Sequence, residues 1–242
     1  MKRIELIVSP ELYRHRTLTT PHVAVAVDIL RATTSICAAL QAGVEEVMPL
    51  MRIDELEGYR RMGYQTAAER NGHRVNDAEW GNSPTGYLSH DLHGVRIAFS
   101  STNGTVAILS ASDADQVLAG AFSNISTLCR HLIQQTSDVV VICSGWRNDV
   151  SLEDTLFGGA LTEALCASGQ YEAVNDAATM AVTLWRNAGS NLYEFCRKAT
   201  HVQRLLRMGY EEDVRFALQS DTCPVLPCRT GDGPIRPMPC TR

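Results

Sequence analysis

His22-Val-Ala-Val-Ala-Val-Asp28-Ile-Leu-Arg31-Ala-Thr-Thr34 is an apolar, strand-like run that stops at an acidic and a basic residue and then turns helical. The same passage recurs where Val95-Arg-Ile-Ala-Phe99 meets Ser100-Ser-Thr-Asn-Gly-Thr105 and where Val139-Val-Val-Ile-Cys143 meets Ser144-Gly-Trp-Arg147. α/β proteins place ligands beyond the carboxyl ends of their strands, where helix N-termini aim amides and positive dipole ends at anions. Three such junctions predict one shared anion site.

Working outward, the N-terminal stretch Met1 to Pro10 reads as the first strand, and Arg31 to Gln41 as a helix ended by Gly43. A strand over Val44 to Leu50 follows, then an amphipathic helix over Ile53 to Met62. A short strand from Tyr64 to Ala68 delivers Glu69-Arg70-Asn71-Gly72. Ser83-Pro84 is a helix start, with serine at the N-cap and proline in the first turn. Beyond the strand at Val95, a helix begins near Thr105, a short strand spans Gln116 to Ala119, and Asn124 to Gln135 is helical. Asp138 to Cys143 is the most strand-like run in the chain. From Ser151 to about residue 219 the pattern is helical, with breaks near Gly169, Asn175, Gly189 and Gly209 and no further long strand. Alternation of strand and helix predicts an α/β fold with a largely parallel or mixed sheet and a helical C-terminal portion. The prolines at 224, 227, 234, 237 and 239 divide the chain into one domain over 1–227 and an extended or disordered tail over 228–242.

The 242 residues are 45% apolar and 20% charged, as in an ordinary globular protein. No run approaches the roughly 18 apolar residues of a membrane span, and the N-terminal apolar run is too short for a signal peptide. A net charge of -5 excludes the concentrated basic footprint of a nucleic-acid binder. The basic residues are arginines apart from Lys2 and Lys198, which supplies guanidinium forks suited to bidentate oxyanion contacts. Eight cysteines without a secretion signal predict a cytoplasmic, reduced protein in which most behave as small hydrophobes. No membrane partner is implied, and a homo-oligomer is left open.

Asp28 and Arg31 flank one strand end, so one can hold a cation while the other holds an anion. Ser100 to Thr105 offers hydroxyls and closely spaced amides around Gly104, a way to cradle phosphate without a lysine. Glu69 adds a second hard oxygen ligand for magnesium, which takes one or two carboxylates plus water and phosphate oxygens. Ser151-Leu-Glu153-Asp154 reads both as a capping box and as a source of one further site carboxylate. Neighbouring helical residues point about 100° apart, so one acid faces the site while the other caps. There is no Gly-x-x-x-x-Gly-Lys-Ser/Thr loop, no Gly-x-Gly-x-x-Gly after a strand, and no histidine pair with metal-ligand spacing. Cys223 to Arg229 has cysteine-phosphatase spacing, but Pro224 and Pro227 remove two of the amides that such a loop needs.

In order along the chain, Val27-Asp-Ile-Leu-Arg-Ala-Thr-Thr34, Glu69-Arg-Asn-Gly72, Gly81-Asn-Ser-Pro84, Ser101-Thr-Asn-Gly-Thr105, Cys143-Ser-Gly-Trp146 and Ser151-Leu-Glu-Asp154 resemble the 2-phosphosulfolactate phosphatase family. His201, Arg204-Leu-Leu206, Gly209, Asp213 and Val225-Leu-Pro227 resemble its closing segment. The resemblance implies a three-layer α/β/α fold and a Mg²⁺-dependent phosphatase yielding sulfolactate and phosphate, a step towards coenzyme M. It implies Asp28, Arg31 and Glu153 as catalytic residues and Asp28, Glu69 and Asp154 as metal ligands. Arg70, Asn71, Thr102, Asn103, Gly104, Thr105 and Arg147 would bind the substrate, with His201 a further candidate. Other readings are a phosphatase for another small phosphorylated hydroxy acid and a non-catalytic anion-binding α/β module.

Overall fold

The structure is a computed structural model describing residues 1–16, 21–147 and 149–239. Its strands are β1 (Lys2–Ile7), β2 (His22–Val27), β3 (Glu46–Pro49), β4 (Gln65–Arg70), β5 (His73–Arg74), β6 (Arg96–Ser100), β7 (Gln116–Gly120), β8 (Asp138–Cys143), β9 (Tyr171–Ala173), β10 (Leu226–Arg229) and β11 (Arg236–Met238). They form two sheets, a seven-stranded one ordered β11-β10-β7-β2-β8-β1-β9 and a four-stranded one ordered β3-β6-β4-β5. Within the large sheet β9, β1, β8, β2 and β7 are parallel, while β10 and β11 are antiparallel additions at one edge. Helices cover both sides, giving the three-layer α/β/α arrangement.

β2 lies in the middle of the large sheet, and all six of its residues are buried. Its small alternating Val and Ala side chains let helices approach from both sides, as in parallel sheets covered on two faces. β8 beside it has the bounds read from sequence, Asp138–Cys143, and pairs with β2 in register from His22–Asp138 to Val27–Cys143. The two helix starts marked by serine are built as their residues dictate. Ser83 Oγ accepts the Gly86 amide at 3.2 Å, and Ser151 Oγ accepts that of Asp154 at 3.4 Å. The run after Ser100 becomes the helix Gly104–Ser110 rather than the second arm of a hairpin.

The small sheet is the main departure from the single-sheet expectation: β6 and β4, two of the strands that carry site loops, belong to it. Two short strands, β5 and β9, were also not expected. The segment read as a tail differs too. β10 spans the boundary drawn at residue 227 and pairs with β7, and Leu226, Pro227, Cys228 and Arg229 are all buried. Mutual backbone hydrogen bonds of 2.9 and 2.8 Å between Val47 and Ile235 stitch this hairpin to β3, and Arg236 binds Glu46 Oε2 at 2.7 Å. Apolar burial on both sides offsets the prolines that made the segment look extended; residues 240–242 of it, with Cys240, lie outside the described residues. The seven described cysteines are free thiols. Among the described residues no helix is long and apolar enough to cross a membrane.

Candidate active site

The carboxyl ends of β2 and β8 in the large sheet face those of β4 and β6 in the small one across a cleft open to solvent. This is the crevice that the three junctions predicted, shared between two sheets.

Asp28, one residue beyond β2, lines the cleft and is buried. Thr33 fixes its backbone by bonding both its amide and its carbonyl, at 3.0 and 2.9 Å. The Ala32 amide donates to Oδ1 at 3.2 Å, and Oδ2 faces the start of the helix at Gly104. Burial pushes the Asp28 carboxyl up to about 6; the Ala32 amide and His201 pull it back, and the charges of Glu69 and Glu153 push it further. A carboxylate held against its own desolvation and two neighbouring acids favours an incoming proton or cation.

Glu69 closes β4 and also lines the cleft. Its Oε1 accepts the Gly72 amide, and the Thr102 hydroxyl lies 3.3 Å from each carboxylate oxygen. Asn71 adopts φ +54° and Gly72 φ +83°, a left-handed turn that brings both residues to the cleft wall. Arg70 turns elsewhere: its Nη1 bonds the Glu69 and Ser100 carbonyls at 2.7 and 3.2 Å, and its Nη2 bonds Ser100 Oγ at 2.9 Å.

Thr102 and Asn103 line the cleft, whereas Gly104 and Thr105 sit behind it. Thr105 ties the loop together through Ser101, its hydroxyl donating to the Ser101 carbonyl at 2.9 Å and its amide to Ser101 Oγ at 3.1 Å. Gly104 is needed for close approach. A Cβ there would lie 2.7 Å from Asp28 Oδ2 and closer still to Ala32 Cβ.

Arg31 lines the cleft floor, buried, with Nη1 on Asp213 Oδ2 at 2.7 Å, Nη2 on the Gly72 carbonyl at 2.9 Å, and the guanidinium 3.9 Å from the Tyr210 ring centroid. Asp213 in turn accepts from Ser83 and Thr85, both at 2.7 Å. These contacts fasten the loops after β2 and β4 and the Ser83 turn to the C-terminal helix Glu211–Ala217.

Of the two adjacent acids, Asp154 is a structural strut: Oδ1 accepts the Ile29 amide at 2.8 Å and Oδ2 the Gly145 amide at 3.2 Å. Burial, with Glu153 and Asp28 adding to it, raises its carboxyl well above the ordinary range. Asp154 therefore joins the β2 and β8 loops and does not line the cleft. Glu153 lines a neighbouring hollow beyond Trp146 and His201, buried, with Oε2 unpartnered, and burial raises its carboxyl also. Among the described residues no three of His, Cys, Asp and Glu gather closely enough to hold a metal ion by themselves.

Three lining residues lie outside the predicted site set: Trp146 follows β8, Arg204 comes from the helix Thr200–Arg207, and Asn82 precedes the Ser83 cap; His201, the further candidate, lines the cleft from the same helix as Arg204. His201 Nε2 sits 2.8 Å from the Leu30 carbonyl, Nδ1 has no partner, and burial lowers its basicity. Asn82 is buried with Oδ1 unpartnered. The i, i+3 spacing of His201 and Arg204 on one helical face was the available signal.

A family model described as 2-phosphosulpholactate phosphatase matches residues 7–232. A probable 2-phosphosulfolactate phosphatase of Gloeobacter violaceus is 36% identical over 236 residues, covering 96% of this chain and 97% of its own. Similarly named proteins of Picosynechococcus sp. and Caldanaerobacter subterraneus are 36% and 31% identical, over 89% and 84% of this chain and 91% and 86% of theirs. Matches of this length run through every strand end that lines the cleft, and the chain belongs to the 2-phosphosulfolactate phosphatase family.

Proposed function

We propose that this protein is a cytoplasmic, Mg²⁺-dependent phosphatase that hydrolyses 2-phosphosulfolactate to sulfolactate and inorganic phosphate. The carrying observation is that Asp28 and Glu69 share one cleft with Thr102, Asn103 and the guanidinium of Arg147. Family membership supplies the substrate. Seven free thiols suit a reducing compartment.

The acids support a cation in a particular form. Asp28, whose proton affinity is raised by burial and further by the charge of Glu69, would be relieved by a dication, and magnesium characteristically completes its shell with water and substrate phosphate oxygens. Asp28 and Glu69, which line the cleft, would hold it; Asp154, which does not line it, would not. When bound, Mg²⁺ supplies charge neutralisation at the phosphoryl oxygens.

The chain's own residues do the rest. Asp28 Oδ1 is anchored by Ala32, which leaves Oδ2 to attack phosphorus or to take a proton from an attacking water, both requiring the carboxylate form. Asn71 and Asn103 offer side-chain amides to phosphoryl oxygens, and Arg147 binds an acid group of the substrate. Arg31 acts as a positioning residue, holding the floor through Asp213 and Gly72. Phosphate release from 2-phosphosulfolactate tests the reading. Release should be abolished by EDTA and restored by Mg²⁺. EDTA-insensitive release would remove the metal, and no release from any phosphorylated hydroxy acid would leave an anion-binding module. Rapid-quench trapping of a phosphoenzyme decides between attack by Asp28 and by water.

A further inference from the structure

Asp28 and Glu69 share the cleft lining with Arg147, Arg204, Trp146 and His201. The Arg147 guanidinium is 4.8 Å and that of Arg204 5.8 Å from the Trp146 ring centroid. A Cβ placed on Gly72 would sit 3.1 Å from Arg204 Nη2, so the tip of Arg204 rests against the turn whose carbonyl holds Arg31. Three guanidiniums thus converge, and the single carboxylate among them, Asp213, is bound by Arg31. Neither Arg147 nor Arg204 has a carboxylate partner among the described residues.

We infer that Arg204, with Arg147 and on the platform of Trp146, clamps the non-reacting acid group of the substrate and thereby selects phosphate esters that carry a second anion. This inference rests on the phosphatase reading and adds to it a specificity residue from the C-terminal helices. The indole face beside these guanidiniums partly desolvates their planar forks, which favours bidentate capture of a sulfonate or carboxylate. The phosphoryl group then falls to Asp28 and Glu69, where an uncompensated phosphate would be repelled without a cation.

Four esters test it with Mg²⁺ present: 2-phosphosulfolactate, 2-phospholactate, 2-sulfoethyl phosphate and isopropyl phosphate, carrying both acids, the carboxylate, the sulfonate and neither. Arg204→Ala should lower kcat/KM on 2-phosphosulfolactate about 10- to 100-fold more than on isopropyl phosphate, chiefly through KM, with Arg204→Lys recovering part of the loss. A selective loss on the sulfonate-bearing esters assigns Arg204 to the sulfonate, and one on the carboxylate-bearing esters assigns it to the carboxylate; both sustain the clamp. Equal losses on all four esters in both variants, with native thermal unfolding, overturn it. Failure of the unsubstituted protein to hydrolyse any of the four overturns the phosphatase reading beneath it.

Discussion

Gly104→Ala probes the tightest joint in the site. The added methyl would lie 2.7 Å from Asp28 Oδ2, while non-bonded heavy atoms rest near about 3.5 Å, so the carboxylate or the loop must retreat by about 0.8 Å. Ala32 Cβ blocks the alternative of moving the helix start inward. A displacement of about 1 Å in a reacting group costs on the order of 100-fold in rate, so kcat should fall by roughly 30- to 100-fold. Overpacking alone costs about 1–3 kcal/mol and lowers Tm by a few degrees. Gly120→Ala is the matched control, since its Cβ would meet Val25 Cγ1 at 2.7 Å and the Phe157 ring at 2.9 Å, among core side chains rather than site residues. Phosphate release and thermal unfolding, measured side by side, should show comparable losses of stability but a selective loss of activity in Gly104→Ala. Adding Ala32→Gly should restore stability more than activity, because the contact with Asp28 persists. Full activity in Gly104→Ala would refute the placement of Asp28 Oδ2 at the reacting centre.

Asp28 also sets a pH dependence. Its folded value of about 6 lies above the ordinary carboxylate value, so without the metal the ionised form is lost as pH falls through about 6, and the Mg²⁺ concentration needed for half-maximal activity should rise below that pH. A Mg²⁺ requirement unchanged from pH 5 to 7 would contradict this. By the same linkage, a raised carboxyl weakens the fold above about pH 6 and ceases to do so below the unfolded value. Asp28→Asn should therefore unfold at a higher temperature than the unsubstituted protein at pH 7 in EDTA while losing activity; a lower Tm would count against it. Asp213→Ala strands the buried Arg31 charge and frees the Ser83 and Thr85 hydroxyls, and should cost about 3–5 kcal/mol by denaturant titration, where a loss under 1 kcal/mol would deny the bridge its structural role.

The strands of the parallel core were legible because both their residues and their ends are local signals. Val139 to Ile142 is an unbroken β-branched run, and β2 closes abruptly at Asp28. The assignment of β6 and β4 to a second sheet was not legible, since strand pairing depends on partners distant in sequence. The same holds for β10. Pro224 and Pro227 announce interrupted hydrogen bonding, yet Pro227 lies opposite Pro237 of β11 and outside the Cys228 and Arg229 pairing with β7, and the burial of Leu226 and Cys228 is visible only once β7 is in place.

Within the site, backbone periodicity explains which side chains reach the cleft better than motif membership does. Glu69 and Arg70 are consecutive on β4, and consecutive strand residues project to opposite faces. Once Glu69 faces Asp28, Arg70 is committed to the other side, where it meets Ser100. The helical counterpart is the pair Glu153 and Asp154, about 100° apart, of which one bonds the amides of two loops and the other stands at the neighbouring hollow. The cations of the cleft needed a further source, because the strand ends supply only Arg31 and Arg147. The helix Thr200–Arg207 provides it: residues three and four apart share a face, so docking Leu205 into the core brings His201 and Arg204 to the cleft together. A ligand with one anion could be served by the strand ends alone, and the clamp inferred for Arg147 and Arg204 would give this helical face a second anion to hold.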